Sequence, residues 1–134
     1  MRTLTTQFRL MRLIRLEDEL TTRLTAPEAD SRLRRATARR LLDAIRDVRA
    51  AWAADQAAER TELGALRRHV SRALSALEAS AAALEQPGHD ALNLSAEFRE
   101  TAVPLLLFLR GLDDTAEAAL LAWLAREPAG RTAA

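Results

Sequence analysis

A chain of 134 residues, 49% hydrophobic and 29% charged, has the size and mix of one globular domain, which excludes a disordered tail and a multidomain enzyme. All 20 cations are arginine, and lysine, cysteine and tyrosine are absent. That excludes disulfides, thiolate nucleophiles, cysteine-ligated metal, Schiff-base chemistry and a Walker-type phosphate loop.

With four glycines and four prolines among many Ala, Leu, Arg and Glu residues, the expectation is an all-α bundle of four or five helices. The first runs from about Leu4 to Leu24. On a helical wheel Leu4, Phe8, Leu10, Met11 and Ile14 share one broad face, and Leu13, Leu16, Leu20 and Leu24 share another. The helix is therefore expected to change its buried face midway and to serve its own domain with one half and a partner with the other. Arg9, Arg12 and Arg15 wrap around it, and Glu17, Asp18 and Glu19 follow.

Thr25-Ala26-Pro27-Glu28 fits a capping box, so a second helix is expected to start near Pro27. Leu41, Ile45, Val48 and Trp52 form one apolar stripe, which resumes nearly in phase at Leu63, Leu66, Val70, Leu74, Leu77, Ala81 and Leu84. Two arrangements follow. One unbroken helix over about 28–85 would be roughly 85 Å long; alternatively, Asp55, Gln56 and Glu59, polar on the core-facing track, mark a connection between two antiparallel helices.

Gln86-Pro87-Gly88-His89-Asp90 is the clearest loop. A further helix is expected from around Asn93–Ser95, past Pro104, to a cap at Gly111, and a last one from the capping box Asp114–Glu117 to Pro128. Together these make an apolar C-terminal helical hairpin, with Val103 to Leu109 apolar on all sides. Residues 1–127 form a single helical domain in this reading, and 128–134 a flexible C-terminal tail.

No metal, cofactor or catalytic constellation is expected. There is no Glu-x-x-His pair, His69 and His89 lack ligands at helical spacing, and Glu97/Glu100 and Asp113/Asp114 suit helix starts. The charge distribution says more. Residues 1–72 carry 16 arginines against 10 acids, a net of +6, and residues 73–134 carry 4 against 9, a net of −5.

Arg32, Arg35, Arg39 and Arg40, with Arg67, Arg68 and Arg72, are candidate phosphate contacts, because guanidinium groups bind phosphate bidentately. Asp43 and Asp47 lie within reach on the same helix, so part of this stripe also reads as a solvated, self-paired face. Trp52 and the other rings sit in apolar surroundings, which gives no support for base stacking. Phe8, Met11, Leu106, Leu107, Phe108, Leu121 and Trp123 are the candidate protein interface.

The leading expectation is a non-enzymatic helical interaction or assembly protein in the cytoplasm, acting as a homo-oligomer or as a small subunit of a larger complex. The alternative is a helical nucleic-acid-binding subunit that contacts the phosphate backbone. Integral membrane association is not expected, because the apolar arms are about half the ~20 residues a span needs. A membrane-surface role for residues 4–24 ranks last, since Glu17, Asp18 and Glu19 would repel anionic lipid.

Overall fold

The computed structural model describes residues 3–24, 30–57, 64–86 and 90–133; for residues 64–65 and 113–133 it describes the backbone alone. Among the described residues there are four helices and no strand: α1 Leu4–Leu24, α2 Ser31–Ala57, α3 Gly64–Ala83 and α4 Ala91–Ala133. Each packs on its sequence neighbours, and α4 returns to α1, so the helices form a closed ring without diagonal backbone contacts. Every neighbouring pair is antiparallel. Thr6 near the start of α1 meets Asp55 near the end of α2, Arg34 of α2 reaches the Leu84 carbonyl after α3, His69 of α3 meets Phe108 of α4, and Thr3 bonds the Leu109 carbonyl.

The core is the sum of four apolar stripes. In α2, Leu41, Ile45, Val48 and Trp52 are buried. In α3 they are Val70, Leu74, Leu77 and Ala81, and in α4 Leu94, Phe98, Ala102, Leu105 and Leu109. These recur at steps of three or four, the period that keeps one side of a helix turned to its partners. In α1 the same period holds across residues 3, 6, 10, 13, 17, 20 and 24, all buried, but three of them are polar: Thr3, Thr6 and Glu17.

The face change expected in α1 is therefore absent. One straight stripe faces inward throughout, and Leu4, Phe8 and Met11, offset from it, are exposed.

Helix ends are capped by local chemistry. The Asp30 carboxylate accepts the Leu33 amide at 2.9 Å at the start of α2, and Asp90 accepts the Leu92 amide at 2.9 Å at the start of α4. Both carboxylates also suit the positive end of the helix dipole. The capping box expected at Thr25–Glu28 lies outside the described residues, as do Leu63 and His89. Beyond α3, the guanidinium of Arg34 donates from Nε to the Leu84 carbonyl at 2.7 Å, which occupies a carbonyl left over at a helix end.

Of the two arrangements open for residues 28–85, the single long helix is absent and the two antiparallel helices hold: α2 and α3 are distinct and lie side by side, joined across their faces by the Arg49–Glu78 ion pair. Asp55 explains why its track turns polar. Its carboxylate accepts the Thr6 amide at 3.1 Å and the Thr6 hydroxyl at 2.6 Å, so α2 caps the first turn of α1 from outside.

The C-terminal hairpin is also absent. α4 is one helix of 43 residues, about 64 Å by helical rise, running through Pro104 and Gly111 and across the segment expected as a tail. Gly111 has an ordinary helical backbone and open space where a Cβ would stand. A lone glycine costs a helix only about 1 kcal/mol against alanine, too little to break one with strong helix formers on both sides.

Two stability measurements check this arrangement. Gly111→Ala raises the unfolding free energy in urea by about 0.5–1 kcal/mol if α4 is continuous; a helix ending in a left-handed cap there would be destabilised instead. Asp55→Ala lowers it by about 1–2 kcal/mol, the cost of a lost helix cap, although Asp55 is not on α1.

Candidate interaction surfaces

The position of α1 against α4 rests on a buried carboxylate. Glu17 is 1% exposed and is surrounded by donors. The Ser95 hydroxyl donates to its Oε1 and Arg99 Nε to Oε2 at 3.3 Å, while the Thr21 hydroxyl, which donates to the Glu17 backbone carbonyl at 2.6 Å, lies 3.2 Å from Oε1. Arg99 also pairs with Asp18. The hydrogen bond and charge of Glu17, aided by Asp18, hold the Arg99 guanidinium above its ordinary pKa against a smaller opposing effect of burial.

A cavity of about 10 Å³ between Glu17, Thr21, Ser80 and Ser95 is the size of one water molecule at most. Among the described residues no buried side-chain nitrogen or oxygen lacks a partner. Fourteen residues away, Thr3 and Gln7 both donate to the Leu109 carbonyl, at 3.2 and 3.4 Å. The first and last helices are thus joined by polar contacts at two levels about 21 Å apart.

This registration places two sets of apolar side chains together. With Thr3 opposite Leu109 and Glu17 opposite Ser95, Leu4 lies near the level of Phe108, Phe8 near that of Pro104 and Met11 near that of Thr101, with Val103 between the last two. Phe8 is 62% exposed, Leu107 59% and Leu4 54%, and Met11 and Val103 are exposed as well. These five residues are on the solvent-facing sides of the packed pair α1 and α4.

Of the interface expected from sequence, the structure places Phe8, Met11 and Leu107 in this exposed set, with Leu106 half-buried. Phe108 is on the α3 side of α4, where its ring meets His69 edge to face at 4.8 Å. The side chains of Leu121 and Trp123 lie outside the described residues.

The arginines are dispersed. Arg32, Arg35 and Arg39 are exposed on the outer face of α2, and Arg67, Arg68 and Arg72 on α3. From the Arg34–Leu84 and Arg49–Glu78 pairings, the two sets are about 15–25 Å apart along the bundle axis. Self-pairing on α2 is slight: Asp43 meets Arg46 at 3.9 Å, with both side chains largely in water, and is worth little.

Arg40 stands apart from its neighbours in sequence. It turns to the α1 flank and lines a groove of about 290 Å³ with Arg9, Arg12 and Arg15. Sequence reading placed Arg9, Arg12 and Arg15 around α1 but did not join them to Arg40, because the union depends on antiparallel packing of two helices.

Among the described residues, no three His, Asp or Glu side chains gather in a way that would hold a metal ion. No helix there is long and apolar enough to cross a membrane. Among the described residues the surface offers an exposed apolar set on α1 and α4 and an arginine-lined groove between α1 and α2, on adjoining faces of α1, chemistry suited to association and anion contact. The chain matches no protein-family model, no curated protein and no solved structure, so its surfaces are read from their own residues.

Proposed function

We propose that this protein is a non-enzymatic helical assembly protein that self-associates through the α1/α4 flank. The observation that carries the reading is the exposure of Leu4, Phe8, Met11, Val103 and Leu107 side by side on two helices whose register is held by buried polar contacts. Contiguous exposed apolar area of this kind marks an interaction surface, whereas single exposed leucines do not.

A second copy is the occupant that fits its geometry. An antiparallel helix pair presents nearly the same ridge when turned by a half-rotation, so the flank is suited to meet itself across a two-fold axis. The rest of α4 adds to this. It continues for 24 residues past Leu109, the level at which α1 begins, and its sequence there includes Leu120, Leu121, Trp123 and Leu124. Helical segments of that length owe most of their stability to packing of an apolar face. If the first partner were a different protein, the same flank would make this chain a small subunit of a larger complex.

Light scattering between about 1 and 100 µM tests the proposal. The wild type should exceed its 14.8 kDa monomer mass with rising concentration, and Phe8→Glu with Leu107→Glu should return it to the monomer while retaining helicity. A strictly monomeric wild type, or an unchanged oligomer in the double variant, would contradict it.

A further inference from the structure

On the adjoining face of α1, the groove shared with α2 has a composition that packing does not account for. Its walls carry Arg9, Arg12 and Arg15 from α1 and Arg40 from α2, with Glu19 and Asp47 as the two acids, over a floor of Leu13, Leu16 and Ala44. Among the described residues none of the four guanidinium groups forms an ion pair. Of the arginines that do pair, Arg49 and Arg99 join neighbouring helices, and Arg46 meets Asp43 within α2. The groove continues past Arg9 and Asp47 into a cleft of about 510 Å³ beside Thr5, Ala50 and Ala51. From Glu19 to Thr5 it follows fourteen residues of α1, about 21 Å.

We infer that this groove binds the sugar–phosphate backbone of a single nucleic-acid strand. Four unpaired forks set along an open channel match a ligand with repeated anionic groups; a lone small anion is held by donors that converge on one point. At a stacked spacing of about 3.4 Å per phosphate, 21 Å accommodates roughly six nucleotides, within the range for strand-binding domains. Guanidinium forks meet two phosphate oxygens at once.

A partner helix suits the groove less well. Helices about 10 Å wide pack apolar ridge to apolar ridge, and here both walls are charged above a narrow floor. A duplex is too wide to enter between two helices and would rest on the rims alone. No aromatic ring lines the groove, so binding comes from backbone charge and is indifferent to base identity.

The test is a fluorescence-anisotropy titration of the full chain with a labelled 20-nucleotide oligothymidylate, the matching duplex and poly-glutamate, at 50 and 200 mM salt. Four phosphate contacts predict a log–log salt slope near −2.8 for a single strand, about a 50-fold loss of affinity across that range. Arg9→Gln, Arg12→Gln and Arg40→Gln together should weaken strand binding at least tenfold and flatten the slope to about −0.7. The control triple Arg32→Gln, Arg35→Gln and Arg68→Gln, with the same change in charge, should stay within threefold of wild type.

Circular dichroism confirms folding, and Arg40→Gln alone gives a milder variant with a slope near −2.1 should the triple variant misfold. No strand binding at 50 mM salt, equal loss in the control triple, or equal affinity for the duplex or for poly-glutamate would each overturn the inference; the poly-glutamate result would assign the groove to an acidic protein. Leu107 is on α4, away from the groove lining, so Leu107→Glu alone should leave strand affinity unchanged, and failure of self-association and failure of strand binding are read independently.

Discussion

Glu17 is the constraint on which the rest of the bundle depends. Burying a carboxylate is costly unless its oxygens are engaged, and here Ser95 donates to one oxygen and Arg99 to the other. Leucine packing alone would tolerate α4 sliding along α1 by a turn, since each helix offers a similar apolar stripe. Glu17 does not tolerate it: a slip of 5.4 Å would leave a carboxylate among Leu41, Leu84, Leu94 and Phe98 without its partners. The contact thus selects one register between helices nearly eighty residues apart in sequence. It also closes the ring begun by the sequential contacts α1–α2–α3–α4.

From that register follow the two outward aspects of α1. Its polar contacts go to both neighbours, Thr6 to Asp55 of α2 and Thr3, Gln7 and Glu17 to α4. The side chains left over are divided by angle around the helix. Leu4, Phe8 and Met11 face solvent, and Arg9, Arg12 and Arg15 border the groove shared with α2, on the adjoining face. The lopsided charge of the chain therefore has a spatial counterpart: the arginines of the first half line α1, α2 and α3, while α4 carries Glu97 and Glu100 on its exposed surface.

Much of the fold was legible in the sequence. The apolar stripes of α2 and α3, including Trp52 in the core, follow from 3.6-residue periodicity, and α1 spans the residues its pattern marks. What was illegible had a common cause. The inward stripe of α1 contains Thr3, Thr6 and Glu17, so a pattern built only from apolar residues shifts to Leu4, Phe8 and Met11 and reports a change of face. Asp55 looked like an interruption because its role, capping another helix, is a tertiary one. Gly111 was read as a helix end although its preference is too weak to outweigh its neighbours. Of the two surfaces, the apolar flank was partly legible as Phe8, Met11 and Leu107. The groove was not, because Arg40 and Arg9 are 31 residues apart in sequence and share a space only after α1 and α2 pack.

The most direct test of the account is a double-mutant cycle on the buried α1–α4 contact, with Glu17→Ala, Ser95→Ala and the pair measured by urea unfolding. If the carboxylate and the hydroxyl meet as described, the two changes couple by about 1 kcal/mol or more. Additivity within about 0.3 kcal/mol would mean that Glu17 and Ser95 do not touch, and the register of α1 against α4, with the flank it creates, would be wrong.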